Sequence, residues 1–138
     1  MSALICDTSG LLAYFDGSDN HHDRVREALD ADIGPFVVSP FVVAELDYLL
    51  SSRCGVDAEL AALDELAGSA WDLAQIDVHD LRLARTIVAR YKDQDIGVTD
   101  ASLVVLAERY KTARILTFDQ RHFRVLRSVS GEAYTLIP

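Results

Sequence analysis

Short apolar runs alternate with amphipathic stretches along this chain, and the alternation predicts strands separated by helices. Ala3-Leu4-Ile5-Cys6 is an apolar run closed by Asp7. It is too short for a helix and reads as a buried strand. Thr8 or Ser9 can cap a helix through Leu11, Leu12, Tyr14 and Phe15 that stops near Gly17. A second helix is predicted from about Asn20 to Ala31, with Val25, Ala28 and Leu29 inward, before Gly34-Pro35 breaks the chain. Phe36-Val37-Val38 reads as a strand. Ser39-Pro40 supplies a hydroxyl cap and a proline at the first helical position, starting a helix that ends near Gly55.

The second half repeats the alternation. Leu60, Leu63 and Leu66 predict a helix over 56–69, and Trp71 to Ile76 reads as a strand. Asp77 can cap a helix carrying Leu81, Ala84, Ile87, Val88 and Tyr91. A polar loop over 92–97 precedes an apolar helix from about Thr99 to Tyr110. Arg114 to Phe118 is a strand closed by Asp119. A short helix through Phe123, Val125 and Leu126 leads to a last strand, Tyr134 to Ile137. Strands alternating with helices call for a three-layer α/β/α arrangement around a mostly parallel sheet of four to five strands. No linker or repeat interrupts it, so a single domain is expected over 1–138.

Such sheets place their sites at the carboxyl ends of the strands, which turns attention to particular acids. Asp7 and Asp119 each directly follow a predicted strand. Glu45 shares a helix face with Val42 and Leu49, and Asp100 with Leu103, Val104 and Ala107. A carboxylate on an apolar face costs several kcal/mol, of order 3 or more, unless paired or metal-bound. Four acids gathered at one sheet edge repel unless a cation neutralises them. Oxygen ligands alone select hard ions such as Mg²⁺ or Mn²⁺. His21-His22 sit in a polar stretch, His79 and His122 stand alone, and all four are expected at the surface. Such an ion lowers the pKa of a water and stabilises charge on a phosphoryl oxygen.

Composition modifies this picture only in places. The 138 residues carry a net charge of −9, which disfavours passive coating of a nucleic acid but not an enzyme whose carboxylates bind cations. Basic residues gather late, at Arg109, Lys111, Arg114, Arg121, Arg124 and Arg127, after Arg82, Arg85, Arg90 and Lys92. They are read as solvated helix faces, with a basic face as the alternative. Cys6 and Cys54 lie 48 positions apart with no metal-ligand spacing, and read as small buried thiols in a reducing cytoplasm. The N-terminus lacks a basic n-region and is not expected to be a signal peptide. No run approaches the roughly 20 apolar residues of a membrane span.

At four places the sequence resembles the PIN-domain nucleases, and among them the VapC toxins of bacterial toxin–antitoxin pairs. Asp7-Thr8-Ser9-Gly10-Leu11-Leu12-Ala13 resembles the opening strand–acid–hydroxyl–helix signature. Val43-Ala44-Glu45-Leu46 is similar to the second-acid segment, and Asp95-Ile96-Gly97-Val98-Thr99-Asp100-Ala101-Ser102-Leu103 to the third. Thr117-Phe118-Asp119-Gln120-Arg121-His122-Phe123 resembles the closing acid motif. The resemblance runs from position 3 to about 137, with no departure at the four acids. It implies a PIN-like fold, Mg²⁺ or Mn²⁺ as cofactor and RNA as substrate. It further implies a homodimer and a cognate antitoxin that occupies the active-site groove. By position, Asp7, Glu45, Asp100 and Asp119 would be the metal-binding catalytic acids. Thr8, Ser9 and Thr117 would position water or phosphate, and Asp95 would support the site from nearby.

Several alternatives stay open on sequence alone. A haloacid-dehalogenase phosphatase would need an acid where Ser9 stands, and a response-regulator receiver an acidic pair after the first strand and a late lysine. Neither pattern is visible. A non-catalytic binding protein of the same fold, or a member that cuts DNA, fits the same acids. Tyr14, Phe15 and the helices over 20–31 and 40–69 are candidate partner surfaces, with core packing the simpler reading.

Overall fold

The computed structural model describes residues 2–138. Five strands form one sheet: β1 (Leu4–Cys6), β2 (Phe36–Val38), β3 (Asp72–Leu73), β4 (Arg114–Leu116) and β5 (Thr135–Ile137). Their order is β3-β2-β1-β4-β5, and every pairing is parallel. Seven helices connect or flank them: α1 (Thr8–Phe15), α2 (His22–Asp30), α3 (Pro40–Cys54), α4 (Val56–Leu66), α5 (Val78–Arg90), α6 (Val98–Arg109) and α7 (Gln120–Val125). The expected α/β architecture is present, with a sheet parallel throughout rather than only mostly so.

The chain order explains the layers. It moves from β1 outward to β2 and β3, then returns across β1 to β4 and moves outward again to β5. Right-handed crossovers put α1–α4 on one face and α5–α7 on the other. The helix contacts agree: α1 packs on α2 and α3, α3 on α4, and α5 on α6. The reversal falls between β1 and β4, both fully buried in their central residues. A crevice opens outside the carboxyl ends of strands at such a point.

Local chemistry sets the helix starts. Ser39 accepts a hydrogen bond from the Phe41 amide at 3.2 Å, with Pro40 opening α3. Asp77 and Asp80 form a reciprocal capping box on α5. Asp80 also pairs with Arg109 at 2.7 Å, tying α5 to the end of α6. At the opposite edge of the sheet from the crevice, Tyr14, Phe15, Phe36 and Trp71 form an aromatic cluster with centroids 4.9–6.3 Å apart. Tyr14 and Phe15 are thus partly buried against their own chain.

Three expectations need correction, and α4 shows which of its apolar residues face inward. The strand expected over Trp71 to Ile76 shrinks to Asp72–Leu73, because only β2 lies beside it and its far edge is unpaired. On α4 the inward face is Ala62 and Leu66, while Leu60 is 53% exposed. Three-residue spacing drifts around a helix of 3.6 residues per turn, so the three leucines cannot share one inward line. Cys6 is buried, as expected, but Cys54 is exposed at the end of α3. His22 is half-buried rather than a surface residue, its Nδ1 lying 2.9 Å from the Ala13 carbonyl oxygen.

Gly10 lets α1 lie against β4. A Cβ there would sit 2.8 Å from Leu116 Cγ and 2.9 Å from the Leu116 carbonyl oxygen. Gly10→Ala should therefore destabilise the protein by about 1–2 kcal/mol, overpacking exceeding the gain in helix propensity. Urea denaturation measures this, and a stabilised variant would refute the close packing.

Candidate active site

The pairing of β1 with β4 places Cys6 opposite Leu116, so Asp7 and Thr117 emerge side by side at the carboxyl edge. The Asp7 amide donates to the Leu116 carbonyl at 2.9 Å. Asp7 stands at the N-cap position of α1, yet its side chain makes no capping bond. Its Oδ2 instead accepts from the Thr117 hydroxyl at 2.8 Å and lies 3.3 Å from Ser9 Oγ. Ser9 Oγ accepts from the Phe118 amide at 2.9 Å, and Thr117 Oγ1 accepts from the Asp119 amide at 2.9 Å. Two hydroxyls thus lock the start of α1 to the end of β4 and fix the Asp7 carboxylate.

Two helices bring in the next acids. Ser39 at the start of α3 and Ser102 on α6 are both fully buried, with hydroxyls 2.8 Å apart. Ser102 donates to the Thr99 carbonyl at 2.6 Å, so it accepts from Ser39. This bond holds α3 against α6. Asp100 projects from the first turn of α6 among buried Leu103, Val104 and Ala107, its side chain 14% exposed. Glu45 departs from expectation. It lies beside the core-facing stripe of α3 but is itself solvent-exposed, although it lines the same cleft. The buried line of α3 runs through Val42, Leu46 and Leu50, roughly 60–140° round the helix from Glu45.

Asp119 completes the set from the end of β4. Its Oδ1 accepts from the His122 amide at 3.3 Å and caps α7. The imidazole of His122 turns back over that cap. Its Nδ1 lies 3.0 Å from Oδ2 of Asp100 and 3.0 Å from Oδ2 of Asp119. Neither approach is aligned as a hydrogen bond, and Nδ1 is buried without a partner. His122, expected alone at the surface, is instead largely buried in the cleft. Its spacing from Asp119, three residues along a capped helix, was the available signal.

These residues line one cleft of about 390 Å³: Asp7, Glu45, Asp100 and Asp119 with Thr8, Ser9, His122 and Arg53 among its walls. The carboxylates sense one another there. Burial raises the Asp7 carboxyl above its ordinary range, against the hydrogen bond from Thr117, with Asp119 and Glu45 adding repulsion. Burial and then the charge of Asp7 push Asp100 up to about 6, His122 opposing and Asp119 and Glu45 reinforcing. Asp95 lies elsewhere. It takes a left-handed backbone conformation and borders a neighbouring hollow with Arg121 and Val125. Of the late basic residues, Arg109 and Arg114 are paired with Asp80 and Asp32, and Arg127 donates to carbonyls of its own loop.

Residues 4–127 match the PIN domain family. The chain belongs to that family. Ribonuclease VapC26 of Mycobacterium tuberculosis (strain ATCC 25618 / H37Rv) is 54% identical over 135 residues, 98% of this chain and 100% of the relative. The crystal structure of Mycobacterium tuberculosis VapC20, a sarcin–ricin loop cleaving toxin, superposes with a TM-score of 0.80 at 20% identity. That match covers 85% of this chain and 90% of the other. A toxin–antitoxin complex from Klebsiella pneumoniae gives 0.70 at 18% identity, over 99% and 97% of the two chains. The two structural likenesses bear on the PIN fold, and the fold agrees.

Divalent ions fit this PIN-domain cleft on three observations. Ligand atoms of Asp100, Asp119 and His122 lie within 4.8 Å of one another. Two neighbouring polar atoms, Thr8 Oγ1 and His122 Nδ1, are buried without protein partners. Such an unpaired group costs about 1–3 kcal/mol, which a ligand could offset. Finally, the carboxyls of Asp7 and Asp100 are raised by burial first and by mutual repulsion second, and a cation would offset both.

The electrostatics give a signed expectation. The Asp100 carboxyl moves from an ordinary 3.8 up to about 6 in the folded protein. Between those values the native state keeps a proton that the unfolded chain has lost. The contribution of Asp100 to the stability of the metal-free protein therefore falls as pH rises through that window and levels off above it. Asp100→Asn should flatten that fall and raise the metal-free melting temperature at pH 7.5 by about 3 °C or more. Melting curves across pH 4–8 in chelator test this. A variant less stable than wild type throughout would contradict it.

Proposed function

We propose that this PIN-domain protein is a divalent-metal-dependent endoribonuclease acting as the toxin of a toxin–antitoxin pair. The observation that carries the reading is the convergence of Asp7, Asp100 and Asp119 with Glu45 on one cleft at the reversal of the sheet. The ribonuclease identity of a relative 54% identical over nearly the whole chain supports RNA as the substrate.

In this reading Asp7, Glu45, Asp100 and Asp119 hold Mg²⁺ or Mn²⁺ and are the catalytic acids. A divalent ion, when bound, lowers the pKa of a water and offsets charge on a phosphoryl oxygen, so hydrolysis needs no protein nucleophile. Thr117 and Ser9 keep the Asp7 carboxylate pointed into the cleft through their hydroxyls. This makes them positioning residues for Asp7 rather than direct contacts for water or phosphate. Thr8 retains a hydroxyl with no protein partner at the cleft wall, suited to such a contact. Arg53 is the one basic side chain among the cleft-lining residues and suits a backbone phosphate. The whole chain, 1–138, acts as a single nuclease domain in the cytoplasm. No helix among the described residues is long and apolar enough to cross a membrane.

The partner reading follows the same line. Val56, Leu60 and Leu63 expose apolar side chains along one side of α4, and Tyr48 on α3 is 70% exposed. Such a surface favours a protein partner. A cognate antitoxin and a second copy of the chain are the partners we assign, in keeping with the toxin–antitoxin complexes among proteins of similar fold.

Purified protein should cleave RNA with added Mg²⁺ or Mn²⁺ and lose the activity in chelator. Asp7→Asn and Asp100→Asn should each lower the rate about a hundredfold or more. Single-stranded DNA of matching sequence should survive. Undiminished cleavage in both variants would end the assignment of the acids. Cleavage of DNA in preference to RNA would redirect it to the DNA-cutting alternative. Inert protein that binds neither ion would leave a binding module.

A further inference from the structure

The four acids do not account for the most unusual atom in the cleft. Nδ1 of His122 is buried and 3.0 Å from two carboxylate oxygens, yet aligned as a hydrogen bond to neither. An imidazole meant to bridge two carboxylates would point its N–H along one of them. An imidazole meant to share a cation with them would converge on a common point. The absence of alignment with either oxygen favours the second. Both nitrogen–oxygen separations are 3.0 Å, and ligand atoms of Asp100, Asp119 and His122 all lie within 4.8 Å of one another.

The backbone builds this arrangement from three places. Asp119 is fixed at the end of β4 by its amide bond to Thr117 Oγ1 and by its cap on α7. The same cap sets the first turn of α7 and hence the direction of His122. Asp100 arrives from α6, which Ser102 ties to α3. The other ring nitrogen, Nε2, faces outward, 3.3 Å from an exposed Arg121 guanidinium. In that contact the guanidinium N–H donates to Nε2, so a cation at Nδ1 requires the ring proton to move from Nδ1 to Nε2 as Arg121 turns to solvent. A fourth cleft residue, Thr8, adds an unpartnered hydroxyl, and it is nine-tenths buried.

We propose that Nδ1 of His122 joins Oδ2 of Asp100 and Oδ2 of Asp119 in a mixed nitrogen–oxygen site for a divalent transition ion such as Mn²⁺. The inference deepens the ribonuclease reading, on which it rests for the presence of an ion. It also chooses between the two ions that the acids alone leave equal. Mg²⁺ takes oxygen ligands and keeps its waters, whereas first-row transition ions also accept imidazole, and Mn²⁺ is the one among them that suits a set made mostly of carboxylates and water. The site therefore discriminates in favour of Mn²⁺ through one histidine.

The test uses the full chain, stripped with chelator and loaded with substoichiometric Mn²⁺. Pulsed electron paramagnetic resonance of the bound Mn²⁺ should show coupling to a directly bound ¹⁴N, replaced by ¹⁵N coupling in protein made with ¹⁵N-histidine. His122→Gln should abolish that coupling and weaken Mn²⁺ about tenfold, while Mg²⁺ affinity changes little. Circular dichroism and melting confirm that the variant folds; should it not, the labelled wild-type spectrum decides alone. Bound Mn²⁺ without histidine coupling in wild type, or coupling undiminished in a folded His122→Gln, overturns the proposal. The two readings fail separately. Mn²⁺-supported RNA cleavage without histidine coupling removes the nitrogen ligand and keeps the ribonuclease. Histidine coupling without cleavage of RNA does the reverse.

Discussion

The parallel pairing of β1 with β4 is the constraint from which the site follows. With Cys6 opposite Leu116, the next residues of both strands are forced to leave the sheet at one level. One strand delivers Asp7; the other delivers Thr117 and then Asp119. Everything after that manages like charge in a half-dry place. Thr117 and Ser9 stabilise Asp7 with hydrogen bonds. The amide of His122 does the same for one oxygen of Asp119. What remains uncompensated appears as raised carboxyls at Asp7 and Asp100.

Packing serves the same end. α1 can approach β4 only because Gly10 has no side chain, and that approach lets Ser9 reach the Phe118 amide. The buried Ser39–Ser102 bond joins α3 to α6 across 63 positions of sequence, and so relates Glu45 to Asp100. A buried hydroxyl pair is costly unless both members are satisfied. Here each has its partners, which makes the contact specific as well as tolerable.

Much of this was legible in the sequence because periodicity and capping are local. The strands ending at Asp7 and Asp119, the start of α3 at Pro40 and the cap at Asp77 all follow from short-range patterns. Apolar neighbours at helical spacing singled out Glu45 and Asp100, and the family resemblance then matched the same two positions. What the sequence hid depends on the third dimension. The exposure of Glu45 depends on how far α3 is rotated against its neighbours. The burial of His122 depends on α6, whose Asp100 lies 22 positions earlier in the chain. The exposed Leu60 on α4 shows that apolar spacing alone does not say which side of a helix faces inward.

Asp119 divides its two oxygens between unlike tasks. Oδ1 closes the first turn of α7, while Oδ2 faces Asp100 and His122 across the cleft. One carboxylate is thus both a structural brace and part of the charged cluster. Anything that draws Oδ2 into the cleft also loads the bond at Oδ1. Exchange of the His122 amide proton with solvent then becomes a local gauge of the cleft, readable without substrate. Replacing Asp119 by alanine would confound fraying of α7 with loss of a charged ligand, whereas asparagine keeps the cap and removes only the charge.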